Sequence, residues 1–446
     1  MQENLSTKKY SFSNLEKFFK NKKLIELDLF YNEFIKNYKK LNKKYKFSEQ
    51  IKEKYIYKQL KEIYFNKKKS YSNNLSFIPF GVKDNINTTN LDTKFGIKIR
   101  KKFRSGNDAR VVSRIKEQGG VIFSKLKCAE LAVHFIEKKY IQNPYNKNHI
   151  AGTSSTGSAV AVAVGAIPVA LGTQTAGSIL RPSSYCGVIG FKPSYGAIDR
   201  TGVLKTNDLA DTVGIISNDF YGLNRTFKSL VNIHKDYPWT ENYRKNFKTY
   251  KNKKNLKVGF FSDDLKIFKN FDLETKINYE KTKETFIKNK FKLIKINNIN
   301  YLNQVHKNFY KVYHKSIYYY LNNINPSFKN ISKNLEEIIK EGKKITFKEN
   351  SICLKFLIKA QNNFDKIINN IDFIIIPTTA SCAPRLSEKE KDDSCLIWTT
   401  FGYPAINLPI YNSNINNLPF GLQIVSKKYN DLSLIDFSKH IFKKLK

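Results

Sequence analysis

Apolar and polar positions along this chain change period several times, and each change marks an element. Across residues 11–65 the apolar positions recur at helical spacing. Leu15, Phe18 and Phe19 form one stripe, and Leu29, Phe34, Ile35 and Tyr38 form another. The pattern predicts two or three helices whose aromatic faces pack on a core. Residues 77–82 are a short apolar run after the turn-forming Ser72, Asn73 and Asn74, and predict a strand with Lys83 directly at its end. Asn107 and Asp108 predict the cap of a helix reaching Gln118, which Gly119 and Gly120 stop, and a strand follows over 121–124. The same helix-then-strand unit recurs as a run of small residues over 157–165, ended by Pro168, and a strand over 169–171. Between these units, residues 129–135 predict one more short helix.

Beyond Asp211-Thr212-Val213-Gly214 the small residues thin out, and residues 220–370 become rich in Lys and Asn. Strands are predicted over 256–261 and 291–296, among amphipathic helices with Phe, Tyr and Leu stripes. Residues 372–377 (DFIIIP) read as a buried strand, and 418–425 as its partner after the turn-rich 412–417. No repeat of solenoid length is present. Alternating helix and strand units predict an α/β fold, a mixed central sheet with helices on both faces. The organisation expected is N-terminal helices over 1–70, a core over 71–235, a variable and mainly helical cover over 236–370, and closing strands and helix over 371–446.

Composition narrows the classes. A chain of 446 residues, 41% hydrophobic, can bury a large core. The longest apolar run, 159–171, is interrupted by Gly165 and Pro168 and is too short to span a bilayer. Residues 1–20 are polar and lack a signal core, so a cytoplasmic protein without membrane contact is expected. Five widely spaced cysteines, with no CxxC or Cys/His cluster, predict buried thiols and no metal site. The net charge of +40 is carried overwhelmingly by Lys, mixed with Asn, Ile, Tyr and Phe. Nucleic-acid sites favour Arg. Coding bias toward A+T explains this composition better, and nucleic acid is not an expected partner.

Chemistry concentrates between Ile150 and Gly196, where small and hydroxyl side chains crowd two loops around one short helix and strand. A serine attacks a carbonyl only when a base takes its proton. Of six histidines only His149 lies nearby, among turn residues, and it is not the expected base. There is no G-x-S-x-G elbow. A buried Lys, neutral through desolvation, can serve instead, and Lys83 leaves a buried strand. The competing reading of Lys83 is an exposed strand end paired with Asp84. A phosphate cradle is disfavoured because the Lys-Ser ending of a P-loop is missing.

The ordered pattern G-x-S-S-x-G-S-A, then G-T-x-T-x-G-S, then C-G-x-x-G-x-K-P-S resembles the amidase signature family. The resemblance extends upstream to Pro79-Phe80-Gly81-Val82-Lys83-Asp84-Asn85 and Asn143-Pro144-Tyr145-Asn146, and resumes at Gly402-Tyr403-Pro404-Ala405. It implies Ser178 as nucleophile, Ser154 as bridging serine after a cis peptide bond from Thr153, and Lys83 as general base. Ser155 is expected to support them, and the backbone N–H groups of Thr175, Ala176 and Gly177 are expected to form the oxyanion hole. Gln174 stands where the family usually has an acid, Ala176 where it has glycine, and Thr153 and Thr156 where smaller residues are commoner. Arg181, one turn past the nucleophile, either meets a substrate carboxylate or locks the loop. No cofactor is implied. The expected activity is hydrolysis of a small-molecule amide. The alternatives are the glutaminase subunit of a tRNA-dependent amidotransferase, working with a partner subunit, and a non-catalytic basic nucleic-acid-binding protein. Homodimer formation stays open.

Overall fold

The computed structural model describes residues 10–66, 74–97, 105–133, 141–231, 256–262, 265–297, 299–324 and 331–445. The N-terminal part holds α1 (Phe12–Phe19), α2 (Leu24–Tyr45), β1 (Ser48–Ile51) and α3 (Glu53–Phe65). The region with the serine loops follows as β2 (Pro79–Lys83), α4 (Arg110–Glu117), β3 (Val121–Leu126), α5 (Thr156–Ala163), β4 (Val169–Gln174), α6 (Leu180–Tyr185), β5 (Ile189–Lys192), β6 (Thr212–Ser217) and α7 (Phe220–Leu230). Then come β7 (Lys257–Phe260), α8 (Leu273–Lys288), β8 (Lys292–Lys295), α9 (Val305–Ile324), α10 (Lys333–Lys344) and α11 (Phe347–Ile367). The chain closes with β9 (Phe373–Pro377), α12 (Cys395–Thr400), β10 (Ala405–Asn412), β11 (Pro419–Ser426) and α13 (Asp431–Leu445).

The eleven strands of the described residues join one mixed sheet in the order β1-β3-β2-β4-β6-β5-β10-β11-β9-β7-β8. Every residue of β2, β3, β4, β5, β6, β9 and β11 is buried, so helices and loops cover both faces. That burial explains why these strands read as continuous apolar runs. The predicted partnership of the two C-terminal runs is present, with Ile424 opposite Ile375 in an antiparallel pair. β7 and β8 extend the same sheet, so the middle segment contributes strands as well as covering helices. Lys292 and Lys295 are exposed on β8, and lysines on an edge strand discourage pairing with another chain. Among the described residues no helix is long and apolar enough to cross a membrane.

Several boundaries differ from the sequence reading, each for a local reason. β1 was not anticipated, because Ser-Glu-Gln-Ile has no apolar alternation, yet it pairs antiparallel with β3. The cap expected from Asn107 and Asp108 does not form. Asp108 instead accepts from the Thr89 N–H (2.7 Å) and from Lys116 Nζ (2.9 Å), and α4 starts after Ala109. Its predicted stop holds, with Gly119 at φ +82°. The helix placed over 129–135 is only a 3₁₀ turn at Glu130–Ala132, and residues 134–140 lie outside the described residues. α5 ends at Ala163 with Val164 as its cap, and Gly165 rather than Pro168 stops it. Gly165 has φ +69°, and Ala166 N–H reaches back to Ala161 O (2.9 Å), as a Schellman ending requires. β4 runs on through Thr173 and Gln174 because both pair with β6, so the loop carrying Ser178 is shorter than predicted.

The first turn of α5 lies against backbone. Gly157 N–H donates to Lys127 O, and a Cβ on Gly157 would sit 2.5 Å from Phe47 O and 2.6 Å from Lys127 O. Backbone on two sides cannot step aside. Gly157→Ala is therefore expected to cost about 1–3 kcal/mol as an overpacked core does. A urea midpoint equal to that of the unsubstituted protein would show that this contact does not constrain the serine loop.

Candidate active site

The sheet brings the pieces together before any side chain acts. β2 and β4 are parallel neighbours with Val82 opposite Leu171, so Lys83 leaves β2 beside the Gly172–Thr173 step of β4. Lys83 is fully buried. Its Nζ donates to Ser154 Oγ (2.8 Å) and Thr173 Oγ1 (2.8 Å), with Thr173 O at 3.3 Å. Asn85 Nδ2 also donates to Thr173 Oγ1 (3.0 Å). Among the described residues no carboxylate lies within 4 Å of that ammonium group. Asp84 points to the other side, 3.9 Å from Lys125, and accepts from the Lys94 and Gly96 N–H groups. The exposed Lys83–Asp84 pair considered from sequence is therefore absent. Burial lowers the Lys83 pKa to about 8, against a smaller upward pull from Cys128 and Asp211.

Ser154 is fully buried and follows a cis peptide bond from Thr153. Gly152 before it takes φ +90°, and a Cβ there would lie 2.6 Å from Pro182 Cα, so only glycine lets this loop touch α6. Ser155 ties the two loops together. Its N–H donates to Ser178 O (3.1 Å), its Oγ donates to Thr173 O (3.0 Å), and Thr173 N–H donates back to that Oγ (3.3 Å). Ser178 stands between β4 and α6 and is 8% exposed. Its loop is thus held against the Ser154 loop, although no hydrogen bond joins Ser178 Oγ to Ser154 Oγ among the described residues.

The turn before Ser178 is anchored from several sides. Thr175 Oγ1 donates to Asp211 Oδ1 (2.6 Å), and Asp211 also accepts the Thr206 and Asn207 N–H groups. Gln174 Oε1 accepts the Ile179 (2.8 Å) and Leu180 (3.0 Å) N–H groups just beyond Ser178. The main-chain N–H groups of Ala176, Gly177 and Ser178 meet no protein acceptor among the described residues. Arg181 is buried, and its Nε donates to Asp393 Oδ2 (2.7 Å). Its guanidinium lies under the turn, since a Cβ on Gly177 would meet Arg181 Nη2 at 2.9 Å. Of the two roles open for Arg181, locking the loop is the one these contacts support.

His149 does not join the group; its Nδ1 is 2.6 Å from Ala383 O. All five cysteines are free and buried, as their spacing predicted, and burial pushes the Cys128 thiol up to about 12. A cavity of about 770 Å³ opens against Gly152, Thr153 and Thr156, with Tyr310, Tyr313 and Glu390 across from them. It gives room for a ligand beside the Ser154 loop.

The family model described as Amidase matches residues 30–435 of this chain. The chain belongs to the amidase family. It is accordingly an amidase-signature enzyme acting on carbon–nitrogen bonds. The A subunit of the glutamyl-tRNA(Gln) amidotransferase of Clostridium botulinum strain Hall is 30% identical over 408 residues, covering 80% of this chain and 81% of that protein. The protein of the same name from Clostridium novyi strain NT is 28% identical over 403 residues, 79% and 80% of the two. A crystal structure described as an amidase superposes with a TM-score of 0.83 at 20% identity, covering 98% of this chain and all of that one. The A subunit of the Thermotoga maritima glutamyl-tRNA(Gln) amidotransferase gives a TM-score of 0.67 at 23% identity and 82% coverage of each. These likenesses show the amidase signature fold.

Sequence reasoning singled out Lys83, Ser154, Ser155, Gln174, Ser178 and Arg181 but missed Thr173 with its own partner Asn85, Asp393 on Arg181, and Thr399, whose Oγ1 accepts from Gln174 Nε2 (2.8 Å). Thr173 and Asn85 stand inside the quoted motifs and carried a signal. Asp393 and Thr399 come from the far end of the chain, in a stretch without a motif. The Arg181–Asp393 pair is almost fully buried on both sides. Replacing one partner leaves the other charge uncompensated. Asp393→Asn is expected to lower stability by about 3 kcal/mol, seen as a reduced urea midpoint. An unchanged midpoint would mean that Arg181 is held by its other neighbours.

Proposed function

We propose that this protein hydrolyses a carbon–nitrogen amide bond of a small molecule through an acyl-enzyme on Ser178. One observation carries the reading: Lys83, buried and lowered to about 8, donates to Ser154 Oγ at 2.8 Å, with no carboxylate within 4 Å of it among the described residues. A neutral Lys83 can accept a proton from Ser154, while Ser154 accepts one from Ser178. Ser178 Oγ then bonds to the amide carbon. The carbonyl oxygen becomes an oxyanion beside the expected Thr175–Gly177 turn, where the N–H groups of Ala176 and Gly177, and that of Ser178 after them, meet no protein acceptor among the described residues. Collapse breaks the carbon–nitrogen bond, and the proton held on Lys83 returns through Ser154 to the leaving nitrogen. Water repeats the sequence on the acyl-enzyme, releasing the acid and restoring Ser178. Ser155 and Gln174 hold the loops in place, and Arg181 braces the turn from beneath.

A second reading has its own support in the names of the curated relatives. The glutaminase subunit of a tRNA-dependent amidotransferase would use the same three residues on glutamine and pass ammonia to a partner subunit. Both readings share the nucleophile and differ in what is hydrolysed and with whom. A panel of simple amides and glutamine, assayed with and without tRNA, separates them. Turnover of a simple amide by the isolated chain supports the first. Glutamine hydrolysis that rises with tRNA or a co-purifying subunit supports the second. In either case Ser178→Ala is expected to lower turnover by at least about 1,000-fold while the circular dichroism spectrum is kept. Substantial turnover by the folded variant would remove Ser178 from the nucleophile role.

A further inference from the structure

Gln174 is fully buried, and its orientation is fixed by what surrounds it. Two backbone N–H groups, from Ile179 and Leu180, converge on one end of its carboxamide. Those groups only donate, so that end is the oxygen, and the other end must be the NH₂. The NH₂ donates to Thr399 Oγ1 at 2.8 Å. Thr399 is fully buried on α12, and its Oγ1 lies 2.7 Å from Ala176 O and 2.8 Å from Cys395 O. With Gln174 filling one lone pair, the single hydroxyl proton is left to serve these two carbonyls. Ala176 is in the turn two residues before Ser178, and Ile179 is the residue after it.

We propose that Thr399 is a positioning residue for the reaction, paired with Gln174 as a clamp on the backbone either side of Ser178. It rests on Ser178 being the nucleophile. Gln174 holds the far side through Ile179 and Leu180. Through Thr399 it holds the near side at the Ala176 carbonyl, and so sets where the adjacent N–H groups point. A carboxylate at position 174 could accept the same two N–H groups but could not donate to Thr399. The Thr399 proton would then turn toward the carboxylate and leave Ala176 O. Gln174, where the family usually has an acid, is thus matched to a threonine 225 residues away. An oxyanion site gains its effect from donors fixed in advance, so a small shift of this turn should slow acylation without weakening binding.

The test uses a serine-directed fluorophosphonate, which needs no knowledge of the natural substrate. The full chain is labelled at a series of probe concentrations, and the site is read by mass spectrometry. Thr399→Val, close in shape but without the hydroxyl, is expected to slow the saturating rate of Ser178 labelling about 10- to 100-fold, with the half-saturating concentration within about 3-fold. Thr399→Ser, which keeps the hydroxyl, is expected within about 3-fold of the unsubstituted rate. Gln174→Glu is expected to be slow, and adding Thr399→Val to it should cost less than about 3-fold more, because both act on one bond. Thr399→Val labelling at the full rate, Thr399→Ser as slow as Thr399→Val, or penalties that multiply in the double variant would each overturn the clamp. If Thr399→Val fails to fold, Gln174→Glu labelling at the full rate overturns it alone. Absence of Ser178 labelling in the unsubstituted protein removes the nucleophile reading, and the clamp with it.

Discussion

A lysine ammonium held in the interior among hydroxyl groups, with no carboxylate within 4 Å among the described residues, is the constraint on which this structure turns. Burying an isolated charge is costly, and a lysine relieves that cost by giving up its proton. The sheet places Lys83 so that water cannot reach it, and the two loops present Ser154 and Thr173 as its partners. The surrounding structure serves this arrangement. Asp84 is turned away to Lys125, Ser155 binds the Ser178 carbonyl, and Gly152 lets the Ser154 loop rest on α6.

Burial by itself does not single out the site. Lys125 and Lys192 are equally buried, and burial lowers them to about 8 and about 7. Their surroundings differ. Lys125 reaches Ile86 O and Thr93 Oγ1 with Asp84 at 3.9 Å, and Lys192 Nζ donates to Pro193 O. Among the described residues neither ammonium group is hydrogen-bonded to a serine hydroxyl, so a proton gained there has no hydroxyl nucleophile behind it. Geometry separates Lys83 from the other two, where a depressed pKa does not.

Much of this was legible in the chain, because the site is built from short local motifs. Lys83 at the end of an apolar run, Ser154 and Ser155 ahead of a small-residue helix, and Ser178 after a Gly- and Thr-rich step all announced themselves by residue type and order. What stayed hidden acts across long separations or through backbone. β1 has no alternation to reveal it and exists because β3 offers an edge. Asp108 suits a helix cap, but Thr89 and Lys116 claim it. Asp393 and Thr399 reach the turn from more than 200 residues away, at separations of 212 and 225, where no local pattern can mark them. The lysine-rich composition drew attention to charge, while the chemistry lay where lysines are few.

The central claim is that Lys83 works as a neutral base, and the pH dependence of Ser178 acylation tests it most directly. Below a pKa of about 8 Lys83 is mostly protonated and cannot accept a proton; above it the neutral form dominates. The rate of acylation should therefore rise about tenfold per pH unit at low pH, bend near pH 8 and level off through a single ionisation. Lys83→Arg, charged at every accessible pH, should lose that rise and remain slow throughout. A flat profile in the unsubstituted protein, or a Lys83→Arg variant that keeps both the rate and the bend, would contradict the account.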